Sequence, residues 1–263
     1  MEKIKTVILA GGQGTRLKEE TEFKPKPMVQ VGGYPILWHI LKIYSHFGFR
    51  DFIICLGYKG DIIKDYFINY EYMSNDVTVS LGQTNGIQIH SQDKGLANCN
   101  ITLANTGLNN MTGSRTKQVE KYVDSDLFFL TYGDGLSKID LKALLEFHRS
   151  HGKLATVSGV YPPSRFGELV EENNQVVNFF EKPQTHSGCI NGGFFVFNKG
   201  VFDYLSVDES CILEYGPMEQ LVKDKQLMVF KNNDFWQCMD TQRDMNYLND
   251  LWNSGNPPWR VWE

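Results

Sequence analysis

Three glycines, Gly11, Gly12 and Gly14, follow an apolar run from Val7 to Ala10 and lead into Thr15 and Arg16. A glycine-rich turn directly after a strand can aim backbone N–H groups at an anion. Arg16 adds a permanently charged fork that pairs with phosphate oxygens. Lys24-Pro25-Lys26-Pro27 comes next. Each proline fixes its own φ and biases the residue before it towards extended backbone, so both lysines are expected on a stiff strut. Two familiar phosphate loops fail here. The dinucleotide fingerprint needs a glycine where Leu17 stands, and the P-loop needs Gly-Lys-Ser/Thr where Gly14-Thr15-Arg16 stands. Two aspartates complete the set: Asp134 between Gly133 and Gly135, and Asp240 between Met239 and Thr241. A carboxylate at the C-terminal end of a strand overlies the crevice where α/β sheets bind ligands. Two carboxylates with phosphate oxygens and water make a hard-oxygen set suited to Mg²⁺. Asp134 taken by itself also fits an ordinary turn aspartate.

The surrounding pattern supplies elements to hold these residues. Thr6–Ala10, Asp51–Leu56, Phe128–Tyr132 and Ala155–Val160 read as buried strands, and 35–47, 61–70 and 141–151 carry apolar residues at helical spacing. Strands alternating with helices imply βαβ units and a mainly parallel sheet. Residues 176–180, 193–197 and 227–230 read as further short strands. A β-rich insertion is expected over 76–120, with extended segments in 76–106. The segment 244–263, with Trp252, Trp259 and Trp262, is expected to dock on its own domain or on a neighbouring subunit. One domain over 1–263 is the simplest organisation.

Bulk properties narrow the function. The 263 residues carry 31 acidic and 26 basic side chains, a net charge of −5, which argues against nucleic acid as the main partner. Cys55, Cys99, Cys189, Cys211 and Cys238 are odd in number and lack C-x-x-C spacing, so they read as free thiols of a reducing compartment. No apolar run approaches a membrane span. The first residues read as a strand and not as a signal peptide, so a cytoplasmic location is expected. No Ser–His–Asp or Cys–His grouping is evident, and His39 falls in an apolar helical stretch, where it reads as packed.

The stretch L-A-G-G-x-G-T-R-L followed by K-P-K-P-M resembles the opening of the sugar-nucleotide pyrophosphorylases, nucleotidylyltransferases that join an NTP to a sugar phosphate. MTGSR, TYGDG, FFEKP, INGGFFVFN, FWQCMDTQRD and PPWRVW extend the likeness along the chain. FWQCMDT, MTGSR and the tryptophan-rich tail resemble the branch that uses CTP and glucose 1-phosphate. The resemblance implies an α/β, Rossmann-like three-layer sandwich. It also implies nucleotide contacts from Leu9, Ala10, Gly11, Gly12, Gly14, Thr15, Arg16, Lys26, Arg115, Gly133 and Asp134. Acceptor contacts are implied for Tyr132, Glu181, Lys182, Asn191, Gly192 and Glu214, catalysis by Arg16, Lys26 and Lys182, and Mg²⁺ on Asp134 and Asp240. The implied chemistry is attack of the acceptor phosphate on the α-phosphorus of CTP, for surface-polysaccharide precursors, in a homo-oligomer. A non-catalytic regulatory subunit would have lost phosphate or metal residues, which are all present. Four positions depart from the family pattern: Cys99 replaces a tryptophan, Asn105 and Gly216 replace acids, and Ser114 replaces a glycine. Losing a carboxylate near a sugar removes a hydroxyl acceptor, so a polyol phosphate such as glucitol 6-phosphate, or phosphoglutamine, stands beside glucose 1-phosphate as the acceptor.

Overall fold

Strand β1 (Lys5–Leu9) is the spine of a seven-stranded sheet in the computed structural model, which describes residues 3–82, 86–90, 95–162, 168–172, 175–180 and 188–262. With β4 (Asp51–Leu56) and β8 (Leu127–Tyr132) it forms a parallel trio. Strand β7 (Asn100–Asn105) extends the sheet beyond β4, also parallel. On the other side β13 (Ile190–Asn198) runs antiparallel to β8 and to β10 (Ala155–Val160), and β14 (Leu227–Asn232) closes the edge parallel to β10. The sheet order is β14-β10-β13-β8-β1-β4-β7.

The apolar runs bury both faces because alternate residues of a strand point to opposite sides. Ile8, Phe52, Ile54, Phe129, Phe194 and Val196 face one layer, which contains α1 (Ile36–His46) and α4 (Leu141–His151). Val7, Ile53, Phe128, Leu130, Phe195 and Phe197 face the other, with Val119, Phe202, Leu213 and Leu221. Helix α2 (Gly60–Ile68) follows β4, and α3 (Thr112–Gln118) follows β7. Asp140 caps α4 by accepting from Lys142 and Ala143 N–H, and Gly152 ends it at φ +65°, a left-handed turn that suits glycine.

The expected mainly parallel α/β sandwich is the observed fold. The stretch 76–120 is divided differently from the expectation. Only β5 (Val77–Val79) and β6 (Ile87–Ile89) form a projecting hairpin with every strand residue exposed. Strand β7 instead joins the main sheet, because its backbone pairs with β4 from Asp51↔Asn100 to Leu56↔Asn105. The aromatic tail docks on its own domain. Helix α6 (Gln242–Asn253) starts with a capping box between Thr241 and Asp244, and Trp259 beyond it is fully buried against α1. Among the described residues no helix is long and apolar enough to cross a membrane.

Candidate active site

Three chain segments meet at the C-terminal ends of β1 and β8. The glycine loop leaves β1 at Leu9. Gly133-Asp134 leaves β8. The short strand β15 (Trp236–Cys238), paired with β9 (Gly135–Ser137), delivers Asp240. Because β13 is antiparallel, its first residues, Asn191 and Gly192, reach the same edge. A cavity of about 450 Å³ opens there, lined by Leu9, Ala10, Gly11, Gly12, Gly14, Lys26, Arg115, Tyr132, Gly133, Asp134, Asn191 and Asp240 among the expected residues. Pro27, Asn110, Met111, Thr112, Trp236 and Cys238 also line it.

Lys26 is the electrostatic centre. Its ammonium lies 2.6 Å from Asp134 Oδ2 and 2.5 Å from Asp240 Oδ1. The expected extended strut stops at Pro25 (φ −69°, ψ 150°): Lys26–Met28 form a 3₁₀ turn with Pro27 near its start, and the turn, not a strut, aims Lys26 inward. The two lysines part company: Lys24 pairs with Glu20 at 3.0 Å, away from the aspartates. Burial pulls the Lys26 pKa down, but the Asp134 and Asp240 charges and hydrogen bonds more than offset it, and the net shift is upward. Arg16, largely exposed, reaches Asp240 Oδ2 at 3.4 Å. Cys238 Sγ also faces Asp240 Oδ2, and burial reinforced by the Asp240 and Asp134 charges pushes its thiol up to about 12.

The glycine loop is shaped from behind. Tyr58 N–H donates to Gly11 O at 3.1 Å, and the Thr21 hydroxyl shares its one proton between Leu17 O at 2.9 Å and Gly14 O at 3.1 Å. Gly14 sits at φ +63°, where a side chain would be strained. Among the described residues the N–H groups of Gly11, Gly12 and Gly14 have no hydrogen-bond partner, which leaves them for an anion. Thr15 faces a neighbouring hollow with Gln13 and Tyr58.

Arg115, expected to contact a triphosphate, is buried at 4% exposure beneath this loop. Its guanidinium donates to the carbonyls of Leu56, Gly107, Gly11 and Leu108 and to Thr106 Oγ1, at 2.7–3.1 Å. A Cβ on Gly11 would stand 2.2 Å from Arg115 Nη1, so the bare backbone is what allows this clamp.

On the β13 side, Gly193 N–H donates to Asn191 Oδ1 at 2.8 Å and Trp236 Nε1–H donates to Gly192 O at 2.7 Å. Glu214 accepts from the Tyr132 hydroxyl and, at 2.7 Å, from Thr112 Oγ1. Glu181 and Lys182 lie outside the described residues. The departures from the family pattern all fall away from the cavity, Ser114 being buried in α3. Cys99 contacts Ser45 at 3.3 Å, Asn105 ends β7, and Gly216 (φ +85°) caps α5 (Pro217–Lys223). Trp236 and Thr112 escaped sequence reasoning. The first is one more aromatic in a rich segment. The second was legible only as the start of MTGSR.

Residues 5–249 match the family model described as nucleotidyl transferase. The chain belongs to that family. As a nucleotidyltransferase it is an enzyme, and it matches cytidylyltransferase relatives over their full length. It is 49% identical over 261 residues to the glucose-1-phosphate cytidylyltransferase of Salmonella typhi, covering 99% of this chain and 100% of that one. The enzyme of the same name from Salmonella typhimurium is 49% identical with the same coverage. HddC from Yersinia pseudotuberculosis, complexed with GMP-PN, shares the fold at a TM-score of 0.67 and 24% identity, over 95% of this chain and 99% of that one. In this nucleotidyltransferase the glycine loop, Lys26, Asp134 and Asp240 lie together beyond the C-terminal ends of β1 and β8.

Proposed function

We propose that the chain transfers a cytidylyl group from CTP to the phosphate of α-D-glucose 1-phosphate, releasing pyrophosphate and giving CDP-glucose, a precursor for surface polysaccharide. The observation that carries this reading is the meeting of Lys26, Asp134 and Asp240 under unpartnered glycine-loop N–H groups, in a chain with full-length cytidylyltransferase relatives. Glucose 1-phosphate is favoured over a polyol phosphate or phosphoglutamine because Cys99, Asn105 and Gly216 line neither this cavity nor the adjoining cleft that holds Asn191 and Glu214.

No covalent nucleophile is required. An acceptor phosphate oxygen attacks the α-phosphorus of CTP, the bond to the β-phosphate oxygen breaks, and pyrophosphate leaves in line. The chain contributes alignment and charge. Gly11, Gly12 and Gly14 offer N–H groups to the triphosphate, and Arg16 and Lys26 offset the charge that spreads over the phosphates. Lys182 is assigned to the acceptor phosphate and Glu181 to its hydroxyls. Asp134 and Asp240 fit Mg²⁺: both are hard oxygen donors, and their oxygens already converge on one cation, the Lys26 ammonium. A bound Mg²⁺ supplies further neutralisation of the triphosphate. No group of three or more His, Cys, Asp or Glu side chains able to hold a metal occurs among the described residues, which suits an ion that keeps water and phosphate as its other ligands. The exposed hairpin, with Val79 and Leu81 in solvent, suits a homo-oligomer, and the enzyme is read as cytoplasmic.

Phosphorus NMR of the protein with CTP, Mg²⁺ and glucose 1-phosphate tests the reading. Equimolar CDP-glucose and pyrophosphate are expected. Turnover of glucitol 6-phosphate or phosphoglutamine in preference to glucose 1-phosphate would overturn the acceptor, and no reaction of CTP with any of them would overturn the function.

A further inference from the structure

Three elements bring one side chain each to a single point. Tyr132 ends β8, Asn191 lies at the start of β13, and Glu214 precedes α5. The Tyr132 hydroxyl donates to Glu214 Oε1, and Asn191 Nδ2 donates to the Tyr132 oxygen at 3.3 Å. Glu214 Oε2 accepts from Thr112 Oγ1 at 2.7 Å, and Thr112 Oγ1 in turn accepts from Leu213 N–H at 2.9 Å. The directions follow from chemistry. A carboxylate only accepts, so both hydroxyls point at it. The phenol's one proton is then spent, so the Asn191 amide must be the donor to its oxygen. Asn191 Oδ1 is already committed to Gly193 N–H, which fixes the amide's orientation.

The location gives this network its meaning. Tyr132 and Asn191 line the nucleotide cavity. Asn191 and Glu214 line an adjoining cleft of about 350 Å³ walled by Val157, Met218 and Val229. Gly193 makes room for the phenol, since a Cβ there would lie 2.5 Å from the Tyr132 ring. Burial first, then the Glu214 charge and hydrogen bond, push the Tyr132 phenol upward, so it stays protonated and keeps donating.

We propose that Glu214 is a positioning residue: it orients the Tyr132 phenol, and through it the Asn191 amide, at the seam between nucleotide cavity and acceptor cleft. Both of its oxygens are held by hydroxyl donors from β8 and α3. The two contacts are charge-assisted hydrogen bonds, the stronger kind, so together they hold the carboxylate in place. The inference rests on the function proposed above, because it takes the cleft for the acceptor side.

A double-mutant cycle tests it, with Glu214→Ala, Tyr132→Phe and both together, assayed with CTP and glucose 1-phosphate. Each single change should lower kcat/KM for glucose 1-phosphate by roughly tenfold or more, the scale of one lost charged hydrogen bond. The double variant should be hardly worse than the poorer single. Glu214→Gln should rescue, since its amide can accept from Tyr132 and donate to Thr112. Multiplying effects, or a Glu214→Gln variant as poor as Glu214→Ala, would overturn the proposal. A second readout needs no turnover. With ¹³Cζ-labelled tyrosine, the Tyr132 resonance, assigned by its loss in Tyr132→Phe, should shift in Glu214→Ala and return in Glu214→Gln. An unmoved resonance would overturn the proposal even if another acceptor proved correct. Failure of the wild type on glucose 1-phosphate with the expected shifts would count against the acceptor assignment alone.

Discussion

Lowering the pH from 7.5 to 5 should loosen the docked C-terminal segment, and His39 sets the size of the effect. His39 is fully buried in α1. Its Nε2 lies 2.8 Å from Val31 O and its Nδ1 lies 3.3 Å from Trp259 Nε1. A carbonyl accepts and an indole donates, so the neutral ring with its proton on Nε2 satisfies both partners. A second proton on Nδ1 would face the indole N–H. Burial, partly offset by the Val31 hydrogen bond, pushes the pKa from 6.5 to about 4. The folded state therefore refuses a proton that the unfolded chain accepts, and stability falls as pH drops from 6.5 towards 4. The full difference is roughly 3 kcal/mol at 1.36 kcal/mol per pH unit, and about 2 kcal/mol of it is lost by pH 5. For a chain of this size that is about 4–8 °C in Tm. Thermal melts of wild type and His39→Gln at pH 7.5 and 5 isolate it. The variant should start lower at pH 7.5, for lost packing, yet lose about 4–8 °C less on acidification. Contributions from other groups appear in both proteins and cancel. Equal losses in the two proteins would refute the reasoning.

Other consequences follow from the site. Arg16→Ala should raise KM for CTP about tenfold or more, the scale of a lost charged contact, while Lys182→Ala should mainly raise KM for the sugar phosphate. Separate saturation curves decide this, and a reversed pattern would sink both assignments. Gly11→Ala should cost about 1–3 kcal/mol in denaturant unfolding and weaken CTP use, because its Cβ would meet the Arg115 guanidinium at 2.2 Å.

Much of the fold was legible because burial writes itself into the chain. Asp51–Leu56 is apolar from Phe52 onward and Ala155–Val160 is built of small and β-branched residues, and both strands occupy the expected residues. Strand β7 was harder: Asn100-Ile101-Thr102-Leu103-Ala104-Asn105 is partly polar because it lies at the sheet edge. The glycine spacing and the proline-set lysines pointed to the loop and to Lys26. That Lys26 closes on Asp240 was not readable, since the two are 214 residues apart and only tertiary structure joins them. Arg115 was expected at a triphosphate, and its role as a clamp under the loop was not legible. Four of its five partners are backbone carbonyls, which leave no trace in residue type. Glu214 likewise stood out as a carboxylate, whereas its partners Tyr132 and Thr112 come from distant elements.

The central claim is that Lys26, Asp134 and Asp240 form the reaction centre of a CTP-dependent transfer. Initial rates of pyrophosphate release from CTP and glucose 1-phosphate at saturating Mg²⁺, for wild type, Asp134→Asn and Asp240→Asn, test it most directly. The account predicts steady release by the wild type and at least a hundredfold loss in each variant (about 2.7 kcal/mol or more), with melting temperatures within a few degrees of wild type. A wild type that releases no pyrophosphate, or a folded variant that keeps a near-normal rate, would contradict it.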